Sequence, residues 1–282
     1  MKVNCEGCAG CCIDWRAIAP TVSSHERRGP RKPLDDAYNL VPLTREDVRS
    51  FLDAGLADAL TPRLWEDESG VEIDGVELAA IEGKPVFFVG IRKPLKPVAP
   101  FDTDASWLPT CAFLDPKTLQ CRIHETDVYP EECAEYPGHN LKLGQQTECE
   151  RVENAFDGER LLNDEPPRAL SGLLLGPQAL GQKVFVYPDP DGLTGVIDRL
   201  IDGELTDRDR ARFVAAAVAG RPGTTGTNHE HYENALHEVG SADSWVGRAI
   251  PEWEVMATTE KPDPSVATRV EDERGAPPTP DW

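Results

Sequence analysis

The chain carries eight cysteines, Cys5, Cys8, Cys11, Cys12, Cys111, Cys121, Cys133 and Cys149, and none follows in the remainder of the sequence. The first four form a C-x-x-C-x-x-C-C run with Gly7 and Gly10 inside it. Glycine frees the backbone to curl, so that thiolates separated by two residues converge on one centre. Thiolates are soft ligands, which favours zinc, iron or an iron–sulfur cluster over hard cations. Cys11 and Cys12 are consecutive, and consecutive side chains point apart, so one tetrahedral ion takes both only under strain. The spacing therefore predicts two metal centres, or one cluster plus one ion, with all eight cysteines as candidate ligands.

Two assignments fit eight thiolates. In one, two Zn²⁺ ions each take four cysteines in closed sites; in the other, three of the first four cysteines and one distal cysteine hold a [4Fe–4S] cluster. Ferredoxins finish such a run with C-x-x-x-C-P, whereas here Cys11 is followed by Cys12-Ile13-Asp14-Trp15, which argues against ordinary electron carriage. Disulfides are disfavoured, because Met1-Lys2-Val3-Asn4-Cys5 carries no export signal and a reducing cytosol keeps thiols free. A dithiol redox protein working through Cys11-Cys12 lacks the usual βαβ pattern.

The second group reads Cys111-Ala112-Phe113-Leu114, then Cys121-Arg122-Ile123-His124, then Pro130-Glu131-Glu132-Cys133-Ala134-Glu135-Tyr136-Pro137. Together with the N-terminal run, these motifs resemble the YkgJ-type cysteine-cluster family, described as zinc- or iron-chelating. The resemblance covers roughly residues 1–150 and includes Cys5, Cys8, Cys11, Cys12, Cys111, Cys121 and Cys133, with Cys149 matching more loosely. It implies a metal-binding protein with zinc, iron or a [4Fe–4S] cluster as cofactor. Tyr129 and Ala134 stand where that family often has arginines. A similar motif occurs in the flagellin lysine methylases, which look iron–sulfur dependent, so the alternative implied is an iron–sulfur-dependent protein-modifying enzyme. No catalytic residue is assigned.

Other candidates have plainer readings. His124, three residues after Cys121, is either a ligand or a hydrogen-bonding neighbour of a thiolate. His229 and His231 fall on different faces of a helix while Glu233 and His237 share one, and the run reads as a solvated, charged surface. Nucleotide-binding glycine motifs and a G-x-S-x-G elbow are absent from the sequence.

These ligands must be held by a folded scaffold, and 282 residues with 39% apolar content are enough for one. The formal net charge is −21; such a surface repels phosphate backbones and anionic membranes, so the expected partners are metal ions, with no nucleic acid and no membrane, and the sequence names no protein partner. Acid excess also keeps proteins hydrated in concentrated salt, which points to a halophilic source. No stretch approaches the roughly 20 apolar residues of a membrane span, so the expected location is cytoplasmic.

The pattern along the chain predicts an α+β fold. Thr44 caps a helix whose stripe is Val48, Phe51 and Leu52, ending at Gly55, and a second short helix is expected over 57–65. An antiparallel β meander follows over 71–92, with turns at Asp74-Gly75 and Glu82-Gly83. It would hold the two cysteine groups at a fixed separation. Beyond Cys149 the expectation is a strand over 183–187, then helices over 195–201 and 207–219, the latter capped by Thr206. This gives a cysteine-cluster domain over 1–155, a mainly helical region over 156–256, and a disordered tail over 257–282 rich in Pro, Thr, Asp and Glu. The locally basic stretch 23–33 reads as a solvated loop or a docking patch for an acidic partner.

Overall fold

A computed structural model describes residues 1–19 and 31–279; most of the basic stretch 23–33, and Trp282 with its two predecessors, lie outside the described residues. The fold is α+β. Helix α1 (Arg45–Asp53) begins at Thr44, whose hydroxyl accepts from the Asp47 amide while the Asp47 carboxylate accepts from the Thr44 amide, and it buries Val48, Phe51 and Leu52.

The stretch after α1 departs from the expected second helix. Ala57–Ala59 makes a single 3-10 turn, and Leu60–Arg63 is a strand, β1, which pairs antiparallel with β2 (Lys84–Ile91), Leu60 opposite Ile91 and Arg63 opposite Phe88. Pro62 cannot donate inside a helix, and Leu60, fully buried, gains more against the sheet. The meander is present: Glu66–Ile73 turns back into Val76–Leu78, and Ala80–Ile81 turns into β2. Both turns place two successive residues at positive φ, Asp74 at 52° with Gly75 at 79°, and Glu82 at 53° with Gly83 at 73°, the backbone twist a two-residue hairpin requires.

Strand β2 is the central strand of the four-stranded sheet. On its other edge lies β3 (Phe185–Val186), with Phe185 opposite Phe87. Phe87 packs on the rings of Phe185, Tyr187 and Phe213 at 5.7, 6.4 and 5.0 Å, and Phe213 belongs to helix α2 (Asp207–Ala219), capped by Thr206. The main core therefore runs without a break from α1 and the meander into the C-terminal helices, and the division anticipated at residue 155 does not fall between separate cores. Helices His229–Gly240 and Trp245–Thr259 complete the mainly helical C-terminal part.

Residues 257–279 correct the expectation of a disordered tail. They finish the helix that begins at Trp245, then form short helical turns that bury Ala267, Val270 and Glu271. The Pro, Asp and Glu content that reads as solvated is anchored by one carboxylate. Glu271, fully buried, pairs with Lys96 Nζ at 2.6 Å and Arg122 Nε at 2.9 Å, and accepts from Trp253 Nε1 at 3.0 Å.

A smaller cluster of buried side chains, among them Cys8, Ile13, Trp15, Tyr38, Phe101 and Val152, lies beneath the N-terminal cysteine run. Among the described residues no helix is long and apolar enough to cross a membrane.

Candidate metal centre

The N-terminal run is a coil of tight turns, with the Cys8 amide on the Cys5 carbonyl at 3.0 Å and the Cys12 amide on the Ala9 carbonyl at 2.8 Å. Gly7 has φ +63°, and Gly10 lies so close to its neighbour that a Cβ there would sit 2.7 Å from Val152 Cγ2. Both glycines thus serve the curl inferred from sequence, Gly7 through its backbone and Gly10 through contact. Val152 is on helix α3 (Glu148–Phe156), which Thr147 caps and which brings Cys149 in its first turn beside the run. A short pairing of Lys2–Val3 with Leu161–Asn163 closes the other side of this helix.

The distal cysteines reach the same place by a second route. The Cys111 amide donates to the Cys12 carbonyl at 2.8 Å, and Ile13 bridges Thr110. Leu114 then bridges Cys121, which folds residues 111–123 into a narrow loop. Two buried cations hold that loop from behind. Lys96 donates to the carbonyls of Ala112 and Leu114 at 2.7 and 2.8 Å, and Arg122 pairs with Asp115 at 3.0 Å and Asp272 at 2.8 Å in addition to Glu271. Cys133 arrives on a short helix, Glu131–Glu135. Its neighbour Glu132 is fixed by His139 Nδ1 at 3.0 Å and Lys183 Nζ at 2.5 Å.

All eight cysteines border two cavities that share a wall. The smaller, about 210 Å³, is lined by Cys11, Cys12, Cys111, Cys121 and Cys133, with apolar walls that include Val41, Ile91 and Phe113. The larger, about 610 Å³, is lined by Cys5, Cys8, Cys11, Cys12, Cys121, Cys133 and Cys149, and His124 is on its surface. Cys11 and Cys12 stand at the junction with their sulfurs 3.8 Å apart. The histidines of helix His229–Gly240 line neither cavity, and His229 is 89% exposed.

The eight thiols are free cysteines, and the fold holds them protonated. Burial and the neighbouring thiols push Cys5 up to about 12 and Cys121 up to about 12, and burial pushes Cys8 up to about 11. The mutual repulsions of the thiols meet at Cys11 and Cys12. Cys12 is pulled down by its hydrogen bond with Cys11, but burial and then Cys111, Cys121 and Cys133 raise it. Cys149 is raised by burial, then by Cys11, Cys8 and Cys5. Cys11 also raises Cys111, Cys121 and Cys133, as its position at the junction requires.

Backbone amides two residues on oppose this at three sulfurs: Gly10 donates to Cys8 Sγ at 3.5 Å, and the Phe113 and Ile123 amides lower Cys111 and Cys121. Amides aimed at sulfur favour the thiolate, the form a metal binds. Among the described residues no three of the cysteine, histidine or acidic side chains are drawn together tightly enough to grip an ion directly; the sulfurs surround space instead.

Sequence reasoning missed the polar side chains that share these walls. Lys93 and Asn39 line the smaller cavity, and both bury a nitrogen that has no hydrogen-bond partner among the described residues. Arg160 buries an equally unpartnered Nε and draws down Cys5 and Cys8. The Asn4 amide on the Arg160 carbonyl at 2.7 Å and the pairing of Lys2–Val3 with the strand that follows, both invisible in the sequence, bring it there.

The architecture and the thiol-lined cavities define an α+β protein organised around clustered cysteines. The chain belongs to a family of unknown function, DUF7531, whose pattern matches residues 1–282. No curated protein and no solved structure matches it.

Proposed function

We propose that this protein binds metal through its eight cysteine thiolates, arranged as two groups that meet at Cys11-Cys12. The observation that carries the reading is the convergence of cysteines from four separate stretches of chain on two adjoining cavities. On this reading Cys5, Cys8, Cys11 and Cys149 form one group, and Cys12, Cys111, Cys121 and Cys133 the other, since Cys5, Cys8 and Cys149 line only the larger cavity and Cys111 only the smaller. Cys11 and Cys12 do not point apart as their adjacency in sequence suggests, their sulfurs being 3.8 Å apart, and on this reading each still serves its own centre. The amides on Cys8, Cys111 and Cys121 and the unpartnered Lys93 support a site meant for anionic sulfur.

A single zinc ion with bonds of about 2.3 Å draws four sulfurs to within about 4 Å of one another. The smaller cavity, about 210 Å³, is lined by five cysteines together with apolar side chains, room that suits an iron–sulfur cluster as well as a lone ion. Such a cluster would supply electron transfer or an iron with an open position. The reading as an iron–sulfur-dependent protein-modifying enzyme, like the flagellin lysine methylases, draws on a separate feature: the 610 Å³ cavity is within the size range of small-ligand pockets and opens beside the thiols.

The test is metal and acid-labile sulfide analysis, with a visible spectrum, on protein purified without oxygen. Iron with matching sulfide, lost on Cys121→Ser, supports the cluster. Zinc without sulfide restricts the sites to closed thiolate centres, and the absence of any bound metal refutes the reading.

A further inference from the structure

Among the described residues five buried side-chain nitrogens lack a hydrogen-bond partner: Asn39 Nδ2, Arg45 Nε, Lys93 Nζ, Arg160 Nε and Arg210 Nε. Folded proteins rarely leave such donors unsatisfied, and an unpaired buried cation is the costliest case. Three of the five border the thiols. Lys93 and Asn39 line the smaller cavity, and Arg160 sits beside Cys5, its carbonyl accepting from the Asn4 amide at 2.7 Å and its Nη1 donating to the Glu6 carbonyl at 3.4 Å, which leaves Nε unpartnered. The charged neighbours of Arg45 and Arg210 are instead other arginines and carboxylates, with no thiol among them.

Lys96 shows what an ordinary buried lysine does in this same strand region. Three residues beyond Lys93, it satisfies its ammonium with two carbonyls and Glu271 at 2.6–2.8 Å. Lys93 has nothing comparable. Its titratable neighbours are Cys12, Cys111, Cys11 and, least of the four, Asp14, whose carboxylate is already held by Arg16; as neutral thiols the cysteines offer it little.

The balance changes when the thiols become metal ligands. Four thiolates around a divalent ion leave an excess of about two negative charges, and cysteine-held iron–sulfur clusters are likewise anionic. In a buried cavity that excess needs a nearby cation or donor.

We infer that Lys93, assisted by Asn39, and Arg160 are dedicated counter-cations for two separate anionic metal–thiolate groups, Lys93 for the group of Cys12, Cys111, Cys121 and Cys133, and Arg160 for the group of Cys5, Cys8, Cys11 and Cys149. The inference rests on the proposed metal-binding reading and assigns each group its own partner. The orphaned nitrogens find their acceptors in the sulfur of the loaded centres. Neither cation is a ligand, and both act by stabilising charge.

The experiment compares wild-type protein with Lys93→Met, Arg160→Met and Lys93→Arg, all full length and loaded under anaerobic conditions. A competing chelator removes the metal while its release is followed by absorbance. The wild type should release metal in two phases. Lys93→Met should weaken one phase at least tenfold and leave the other within twofold, Arg160→Met should do the reverse, and Lys93→Arg should restore most of the wild-type behaviour. Thermal unfolding of the metal-free proteins separates charge compensation from a structural role: Lys93→Met removes an uncompensated buried cation, so its metal-free melting temperature should hold or rise while its metal affinity falls. Two normal phases in both Met variants, or equal weakening of both phases by either one, overturns the inference while leaving metal binding intact. A wild type that takes up no metal overturns the metal-binding reading and the inference with it.

Discussion

The run from Cys5 to Cys12 and the loop from Cys111 to Ile123 border the same cavities with different backing. The first is a coil of turns on the smaller buried cluster, closed by a two-residue strand pairing and by the contact of Gly10 with Val152. The second packs against the main core and is held from behind by Lys96, Arg122 and Glu271. On the proposed metal-binding reading, the thiols of the second loop are positioned by the fold before any metal arrives, whereas those of the first depend on the metal to fix them. Preorganisation of a site and dependence of its fold on the metal are opposite ends of one scale.

Chelation should expose that contrast most strongly. Binding free energy of a structural thiolate site is folding free energy, on the order of 10 kcal/mol. Hydrogen exchange after metal removal should show the amides of residues 5–13 losing nearly all protection while those of 111–123 keep most of theirs. Equal loss in both would erase the distinction. Because the main core is continuous, the C-terminal helices and the meander should stay folded together, rather than the N-terminal half unfolding as a unit.

Glu271→Ala attacks the better-supported loop. It leaves Lys96 and Arg122 buried without their shared carboxylate, a loss of about 3–5 kcal/mol, to be read from the denaturant midpoint. Exchange should rise in residues 111–123 and in the C-terminal turns, with the N-terminal run little affected.

Gly10→Ala is the converse. The new Cβ meets Val152 at 2.7 Å, and overpacking of this kind costs about 1–3 kcal/mol. The double variant with Val152→Ala should recover stability if contact, rather than backbone freedom, is the cause.

The smallest effect is one of pH. In the metal-free protein Cys5 and Cys121 hold their protons up to about 12, above the value of about 8.5 for an unfolded cysteine. Their contribution to stability is complete below that unfolded value and is lost as pH rises towards 12. Thermal melts across this window should fall for metal-free protein and change less for loaded protein, whose thiolates have already given up their protons.

Much of this was legible in the sequence wherever the determinants are local. Thr44 and Thr206 announce their helices through the carboxylate three residues on, and Asp74-Gly75 and Glu82-Gly83 announce their hairpins through residues that tolerate positive φ. The convergence of the thiols followed from their spacing and the two glycines. What could not be read depends on distant partners. Leu60–Arg63 looked helical because its partner is the far strand of the meander, Lys84–Ile91. Glu271 looked solvated in a stretch of acids and prolines, since the arginine that buries it is 149 residues earlier. Lys93 sits between Arg92 and Pro94 in an ordinary stretch of sequence, and only the folded cavity distinguishes it from Lys96.

The peptide bond joining Cys11 to Cys12 has a consequence for assembly. If each residue serves its own centre, the two centres are tied at a Cα separation of about 3.8 Å, so neither can be filled without restricting the backbone of the other. The first metal to arrive removes part of the conformational entropy that the second would otherwise have to overcome. This coupling acts through a single peptide unit, so it eases the second loading without merging the two steps into one.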